Sequence, residues 1–309
     1  MIVTVTLTPA LDKTVIIPNF RTDEVNRIQS LRLDPGGKGI NVSKGLRALG
    51  MDSLATGILG GDTGRYIENS LHDLGIACDF AWTGNDTRTN LKVIDPVLHT
   101  NTDINEAGMP VSDEVLETVY RKIDTATQPG DIVVFAGKAP SGAPDTVFAD
   151  WIKRLKKKDV QVYLDADGEL LIEGAKVKPA LIKPNDLELS RLMGRSFNNI
   201  DEIADAARRL TVGGIETVAV SLGGDGALFV KGDTVLRGHG LKVEVRSTVG
   251  AGDSMMAALA FGAESGMDFR DTCALAMAFS AAAVTTPGTQ PAEMEVVNAL
   301  LKQVRLSEM

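Results

Sequence analysis

Short apolar, β-rich runs alternate along this chain with longer stretches in which apolar residues recur every three or four positions. That is the pattern of parallel strands joined by crossover helices. Runs over Ile2 to Leu7, Ser53 to Leu59, Asp131 to Ala136, Val160 to Asp165, Ala180 to Ile182 and Thr217 to Ser221 predict strands. Amphipathic segments over Ile40 to Leu49, Thr63 to Leu74, Ser112 to Thr125, Ala143 to Lys157, Leu187 to Met193 and Ile200 to Thr211 predict the helices between them. A layered α/β structure with a central, mainly parallel sheet follows.

Two stretches break this rhythm. Leu11 to Leu33 and Thr87 to Asn105 alternate and carry turn residues but have no helical period, so they cannot be crossovers of the main sheet. They are expected to pair as a small separate sheet projecting from the core. The C-terminal third reads as almost all helix, over Ala251 to Glu264, Phe269 to Thr285 and Ala292 to Val304, with alanines that allow close helix packing. No repeat or low-complexity linker interrupts the 309 residues, a length that fits one α/β domain with an appendage as well as two domains.

Composition narrows the partners. With 32 basic and 41 acidic side chains the formal charge is −9, which disfavours nucleic-acid binding through a general basic surface. The run Lys153-Arg154-Leu155-Lys156-Lys157-Lys158 reads as a solvated helix end suited to the negative pole of the helix dipole, rather than as a polyanion patch. Cys78 and Cys273 are far apart, and His72, His99 and His239 never fall at i, i+4, so neither a disulfide framework nor a thiolate or histidine metal site is expected. The opening residues alternate like a strand and lack the marks of a signal peptide, and no apolar stretch reaches the roughly 20 residues of a membrane span. A cytoplasmic protein with no membrane partner is the expectation.

Glycine-rich elements carry the candidate chemistry. Ser247-Thr248-Val249-Gly250-Ala251-Gly252-Asp253-Ser254 precedes an apolar helical run. Its glycines let successive N–H groups point outward at a helix N-terminus, where unpaired donors and the dipole favour an anion. Asp253, in the first turn, is placed to take a proton from an attacking hydroxyl while Gly250, Ala251 and Gly252 stabilise a transferred phosphoryl group. Alone, the segment reads equally well as a glycine turn with Asp253 or Ser254 as a helix cap.

A second element, Asp34-Pro35-Gly36-Gly37-Lys38-Gly39-Ile40-Asn41-Val42, also enters a helix, with Lys38 and Asn41 offering a cation and an amide to a polar ligand. Taken singly, a turn before a helix is the simpler account. In Leu181-Ile182-Lys183-Pro184-Asn185-Asp186-Leu187-Glu188, Asn185 and Glu188 are either hard oxygen ligands for Mg²⁺ or a capping box. Val220 to Ala227 is either a turn where backbone approaches a nucleotide or a plain hairpin. No dinucleotide or P-loop fingerprint is present.

In this order and separation, Gly36-Gly37-Lys38-Gly39-Ile40-Asn41 and Ser247 to Ser254 are similar to the two signatures of the ribokinase/PfkB family of carbohydrate kinases, and the resemblance covers essentially the whole chain. It implies one ribokinase-like, three-layer α/β/α domain over 1–309, a β lid from about 11–33 and 87–105, and phosphoryl transfer from ATP with Mg²⁺. Asp253 would be the general base beside the Gly250 to Gly252 anion hole. Asp12, Gly37, Asn41 and Asn90 would hold the sugar. Lys183, Asn185, Ser221, Gly223, Gly226 and Thr248 would line the ATP side, with Asn185 and Glu188 organising Mg²⁺.

Val25-Asn26-Arg27, Thr87-Arg88-Thr89-Asn90-Leu91-Lys92 and Thr102-Asp103-Ile104-Asn105-Glu106 further resemble family members that act on phosphorylated ketohexoses. Lys38 and Arg88, with Arg27, would then anchor the phosphate already on the acceptor. The implied reaction converts fructose 1-phosphate to fructose 1,6-bisphosphate, with tagatose 6-phosphate the alternative acceptor. Intact Asp253 and its glycines weigh against a non-catalytic sugar-phosphate sensor. Where relatives read Ser-Gly-Ser-Leu-Pro this chain has Ala136-Gly137-Lys138-Ala139-Pro140, so Lys138 either adds a phosphate contact or alters which sugar phosphate fits. Lids in this family often pair between subunits, which implies a homodimer.

Overall fold

In the computed structural model, which describes residues 1–309, the apolar runs lie side by side in one eleven-stranded sheet. From one edge the strands are Leu306–Glu308, Thr234–His239, Gly226–Lys231, Thr217–Ser221, Leu181–Ile182, Gln161–Asp165, Ile132–Ala136, Ile2–Thr6, Ser53–Gly60 and Ala77–Cys78, with Ala81–Thr83 beside the end of Ser53–Gly60. The first three pairings along this order are antiparallel and the remainder parallel.

Strand residues alternate between two faces, and the chain fills both. Val3, Val5, Val133 and Phe135 pack with the helices Asp113–Ala126 and Val147–Lys156. Ile2, Ile132, Val134 and Ala136 pack with Ala251–Glu264 and Phe269–Ala283 on the other face. The three-layer α/β/α expectation is met. No helix is long and apolar enough to cross a membrane.

The departures from expectation are local. The helix Gly168–Lys176 and the strands Ala77–Cys78, Ala81–Thr83, Gly226–Lys231, Thr234–His239 and Leu306–Glu308 were not anticipated, being too short or too glycine-rich to display a period. The helix expected from Ala143 starts at Val147: Pro144 disfavours helical backbone at Ala143, and residues 144–147 form a turn of their own, with Val147 N–H donating to the Pro144 carbonyl. The last two helices stop at Ala283 and Leu301. In the basic run, Lys153 pairs with Asp150, Arg154 with Glu117 and Lys158 with Asp124, and Lys156 donates to the carbonyls of Val177 and Lys178. Those charges are spent within the molecule.

The two arrhythmic stretches form a separate four-stranded sheet, in the order Ser30–Gly36, Ala10–Ile16, Thr89–Asp95, Thr100–Asn105. Residues 17–29 connect its first two strands without a strand of their own. Buried Asp95 fastens the turns by accepting from the backbone N–H groups of Asn19, Phe20, Val97 and Leu98. Ser30–Gly36 runs into the helix Lys38–Ala48, so the small sheet is rooted beside the C-terminal ends of the parallel strands.

The helix Lys38–Ala48 packs unusually close to Ala251–Glu264. A Cβ added at Gly45 would lie 2.8 Å from the Ala257 Cβ and 3.1 Å from Phe279 Cε1. Alanine would gain about 1 kcal/mol of helix propensity, but overpacking costs about 1–3 kcal/mol, and the rigid Ala257 methyl cannot swing away. Gly45→Ala is therefore expected to destabilise the protein by about 1–2 kcal/mol in urea unfolding, with Gly45→Ala/Ala257→Gly recovering most of the loss.

Candidate active site

The close packing of these two helices brings their N-termini together. Gly250 caps the second helix in the left-handed region (φ 86°), a conformation that suits glycine and leaves the N–H groups of the first turn facing outward. Asp253 follows in that turn, 6% exposed. The Asn41 Nδ2 group, from the first turn of Lys38–Ala48, donates to Asp253 Oδ2 at 2.8 Å across 212 positions of sequence. The two glycine turns thus meet. Asn41 itself serves this carboxylate, rather than only the polar ligand expected of it.

Below the pair lies a residue that sequence reading missed. Asp165, at the C-terminal end of Gln161–Asp165, is 1% exposed and accepts from Lys38 Nζ at 2.9 Å, while Lys183 Nζ sits 3.1 Å from its other oxygen. Its signal was its place at a strand end in Asp165-Ala166-Asp167, with no motif to mark it. Burial pushes the Asp165 carboxyl up, but Lys183 and then Lys38 outweigh burial and hold it below the usual carboxylate range. Lys38 is raised in turn, because the Asp165 charge outweighs burial. Asp253 goes the other way. Burial first, then the Asp165 charge, push it up to about 6, with the Asn41 hydrogen bond, Lys38 and Lys183 only partly offsetting them.

These groups floor a cleft of about 500 Å³ at the C-terminal ends of the parallel strands. Asp12, Gly37, Lys38, Asn41, Arg88, Asn90, Lys138, Lys183, Asn185, Glu188, Ser221, Gly250, Gly252 and Asp253 all line it, as does Asp165. Asn90 donates to Asp12 at 2.9 Å, and Asp12 is raised, mainly by burial. Arg88 donates to Asn90 Oδ1 at 3.3 Å and to the carbonyls of Glu106 and Thr8, while its Nε is buried with no partner. Lys138 is 75% exposed, 3.8 Å from Asp167.

Five expected residues are not brought to the cleft wall, among them Ala251, which lies between two glycines that are. Arg27 is exposed on the segment that joins the first two strands of the small sheet. Thr248 gives way to its neighbour Val249. Gly223 and Gly226 form the tight turn between Thr217–Ser221 and the antiparallel Gly226–Lys231, which is the hairpin reading of that segment. Asn185 and Glu188 make a full capping box: Glu188 N–H donates to Asn185 Oδ1 and Asn185 N–H to Glu188 Oε2, both at 2.8 Å. Glu188 Oε1 makes no hydrogen bond within the protein, and both residues line the cleft. No three His, Cys, Asp or Glu side chains cluster as metal ligands. Since Mg²⁺ commonly takes one or two carboxylates and completes its shell with water and phosphate, this donor set fits that ion.

A buried carboxylate at a helix N-terminus, facing lysines across a polar cleft, is the equipment of phosphoryl transfer. The model of the pfkB family carbohydrate kinases matches residues 5–295. The chain belongs to this family. It is 35% identical over 307 residues to the 1-phosphofructokinase of Haemophilus influenzae, covering 99% of this chain and 98% of that one. It is 33% identical to the 1-phosphofructokinase of Bacillus subtilis over the full length of both. The phosphofructokinase-2 of Escherichia coli, solved in complex with substrates and products, superposes with a TM-score of 0.93 at 27% identity, covering 98% of each chain. As a pfkB-family protein, the chain is a sugar kinase, a phosphotransferase acting on an alcohol, and the ribokinase-like fold expectation is met.

The strained proton affinity of Asp253 has a stability consequence. Raised from 3.8 to about 6, the group binds its proton more tightly in the folded state than in the unfolded chain. Its contribution is therefore complete below pH 3.8 and is lost as pH rises through about 6. Asp253→Asn keeps the shape and an oxygen for Asn41, so it is expected to stabilise the protein by about 1–3 kcal/mol at pH 8 and by much less at pH 4. Urea unfolding at the two pH values checks this; equal effects at both would contradict it.

Proposed function

We propose that this pfkB-family chain transfers the terminal phosphoryl group of ATP to the 6-hydroxyl of fructose 1-phosphate, giving fructose 1,6-bisphosphate and ADP. The observation that carries this reading is the meeting of Asp253 and its anion hole with Arg88 in one cleft, in a chain about one-third identical to 1-phosphofructokinases over full length.

Each group has a task that its surroundings support. Asp253, mostly ionised at neutral pH yet with raised proton affinity, accepts the hydroxyl proton as the new P–O bond forms and the bond to the leaving ADP breaks. The outward N–H groups of Gly250 to Gly252 face the charge on the transferred group. Lys183, held by Asp165, lines the nucleotide side with Ser221. Mg²⁺, held from Glu188 and Asn185, would neutralise nucleotide phosphate charge. Asp12 and Asn90, already hydrogen-bonded to each other, orient the sugar hydroxyls. Arg88 anchors the phosphate the acceptor brings, with Lys38 nearby and exposed Lys138 as a further cation at the rim.

The small sheet is read as the lid that closes over the sugar and excludes water. Half-exposed Leu31, Leu98 and Ile104 on that element provide apolar surface suited to pairing two copies, which supports a homodimer. Sedimentation equilibrium is expected to return a dimer mass; a strict monomer would remove that part of the reading.

A coupled ADP-release assay across fructose 1-phosphate, fructose 6-phosphate, tagatose 6-phosphate, fructose and ribose is expected to give the highest kcat/KM with fructose 1-phosphate. A preference for tagatose 6-phosphate or an unphosphorylated sugar would overturn the assignment. Asp253→Asn should lower kcat by about 10³-fold or more with KM values nearly unchanged. Arg88→Met should raise the sugar-phosphate KM about tenfold or more, with little effect on the KM for ATP.

A further inference from the structure

Lys44 is a buried cation beside the cleft that the reaction above does not use. It sits on the helix Lys38–Ala48, one turn beyond Asn41 on the same face, 5% exposed and in no ion pair. Its Nζ donates to the Pro35 carbonyl at 3.3 Å and to the Thr289 hydroxyl at 3.4 Å. Pro35 closes the strand Ser30–Gly36 at the root of the small sheet. Thr289 follows the helix Phe269–Ala283 and backs the anion hole: its Cγ2 and Cα are the nearest atoms a Cβ on Gly250 would meet, at 3.8 and 3.9 Å. One ammonium therefore touches the element that carries Asp12 and the loop that supports Gly250.

The charges around it fit that bridging place. Burial lowers its proton affinity, Asp34, Asp12 and Asp253 oppose burial, and Arg32, which donates to Asp34 at 2.6 Å, adds to it. Lys44 and Asn41 also share a cavity of about 10 Å³, and Asn41 Oδ1 has no donor.

We propose that Lys44 is a positioning residue, whose buried ammonium pins the root of the small sheet to the loop behind the anion hole and holds Asp12, Asp34 and Asp253 in one arrangement. This rests on the reading of Asp253 as the base and of the small sheet as part of the acceptor site. A lysine that merely filled space would be replaced without consequence by an uncharged side chain of similar stem.

Lys44→Met keeps that stem and removes the charge, and Lys44→Arg restores the charge. Hydrogen exchange in the ligand-free protein is expected to quicken about tenfold or more in both 34–37 and 285–291 for Lys44→Met and to stay near wild type for Lys44→Arg. Thr289→Val, which removes one acceptor only, should quicken 285–291 alone and covers the case in which Lys44→Met does not fold. In steady-state kinetics, Asp253 feels Asp165, Lys38, Lys183 and Asn41 in every variant, but loses one cation in Lys44→Met. Its carboxylate is then less favoured, so the acid limb of kcat/KM should move upward by about half a pH unit to one unit, and Lys44→Arg should return it. Unchanged exchange in both segments with an unmoved acid limb would overturn the proposal. Because the exchange measurement needs no substrate, a wild-type protein that phosphorylates no ketohexose phosphate would defeat the functional reading without deciding the role of Lys44.

Discussion

Two buried carboxylates, Asp165 and Asp253, share the cleft floor with two lysines, and the balance among these four charges governs the rest of the site. Neither lysine pairs with Asp253. Both close on Asp165, Lys38 through a hydrogen bond and Lys183 as an ion pair, and the surplus negative charge falls on Asp253, whose direct partner is the neutral amide of Asn41. Isolated ions buried this deeply would be prohibitively costly, and charge pairing makes the arrangement tolerable while leaving one member reactive. The asymmetry separates the roles: one carboxylate orients cations, the other keeps an appetite for a proton.

The scaffold serves that balance. Parallel strands deliver Asp165, Lys183 and Ser221 at neighbouring C-terminal ends, and the helices that follow present their N-termini to the same side. The small-residue helix Ala251–Glu264 admits Lys38–Ala48 closely enough for an asparagine to reach an aspartate, a contact that a bulkier pair of helix faces would prevent.

Much of this was legible in the sequence, and the exceptions have physical reasons. The parallel strands and crossover helices announced themselves because burial on both faces forces long apolar or periodic runs. The glycine turns around Gly37 and Gly250 were legible because few residues tolerate such backbone. Asp165 was not, since an aspartate at a strand end looks like any turn residue until the fold sets two lysines against it. Nor was Lys44, whose meaning depends on Pro35 and Thr289, separated from it by 9 and 245 positions. Gly223 and Gly226 had a hairpin as one of their two readings, and only the antiparallel pairing of Gly226–Lys231 makes that turn visible. Asn185 and Glu188 make the capping box and line the cleft at the same time, a coincidence that spacing alone could not display.

The contact between Asn41 and Asp253 also bears on synthesis. The turn around Gly37 leaves the ribosome long before the carboxylate that Asn41 meets, and the central strand Ile2–Thr6 has to wait for Ser53–Gly60 and Ile132–Ala136 to flank it. A nascent chain therefore holds only one of the two turns that meet in the cleft until translation has passed the helix Ala251–Glu264. A fragment that ends before Asp253 carries the Asn41 amide without the carboxylate that receives it.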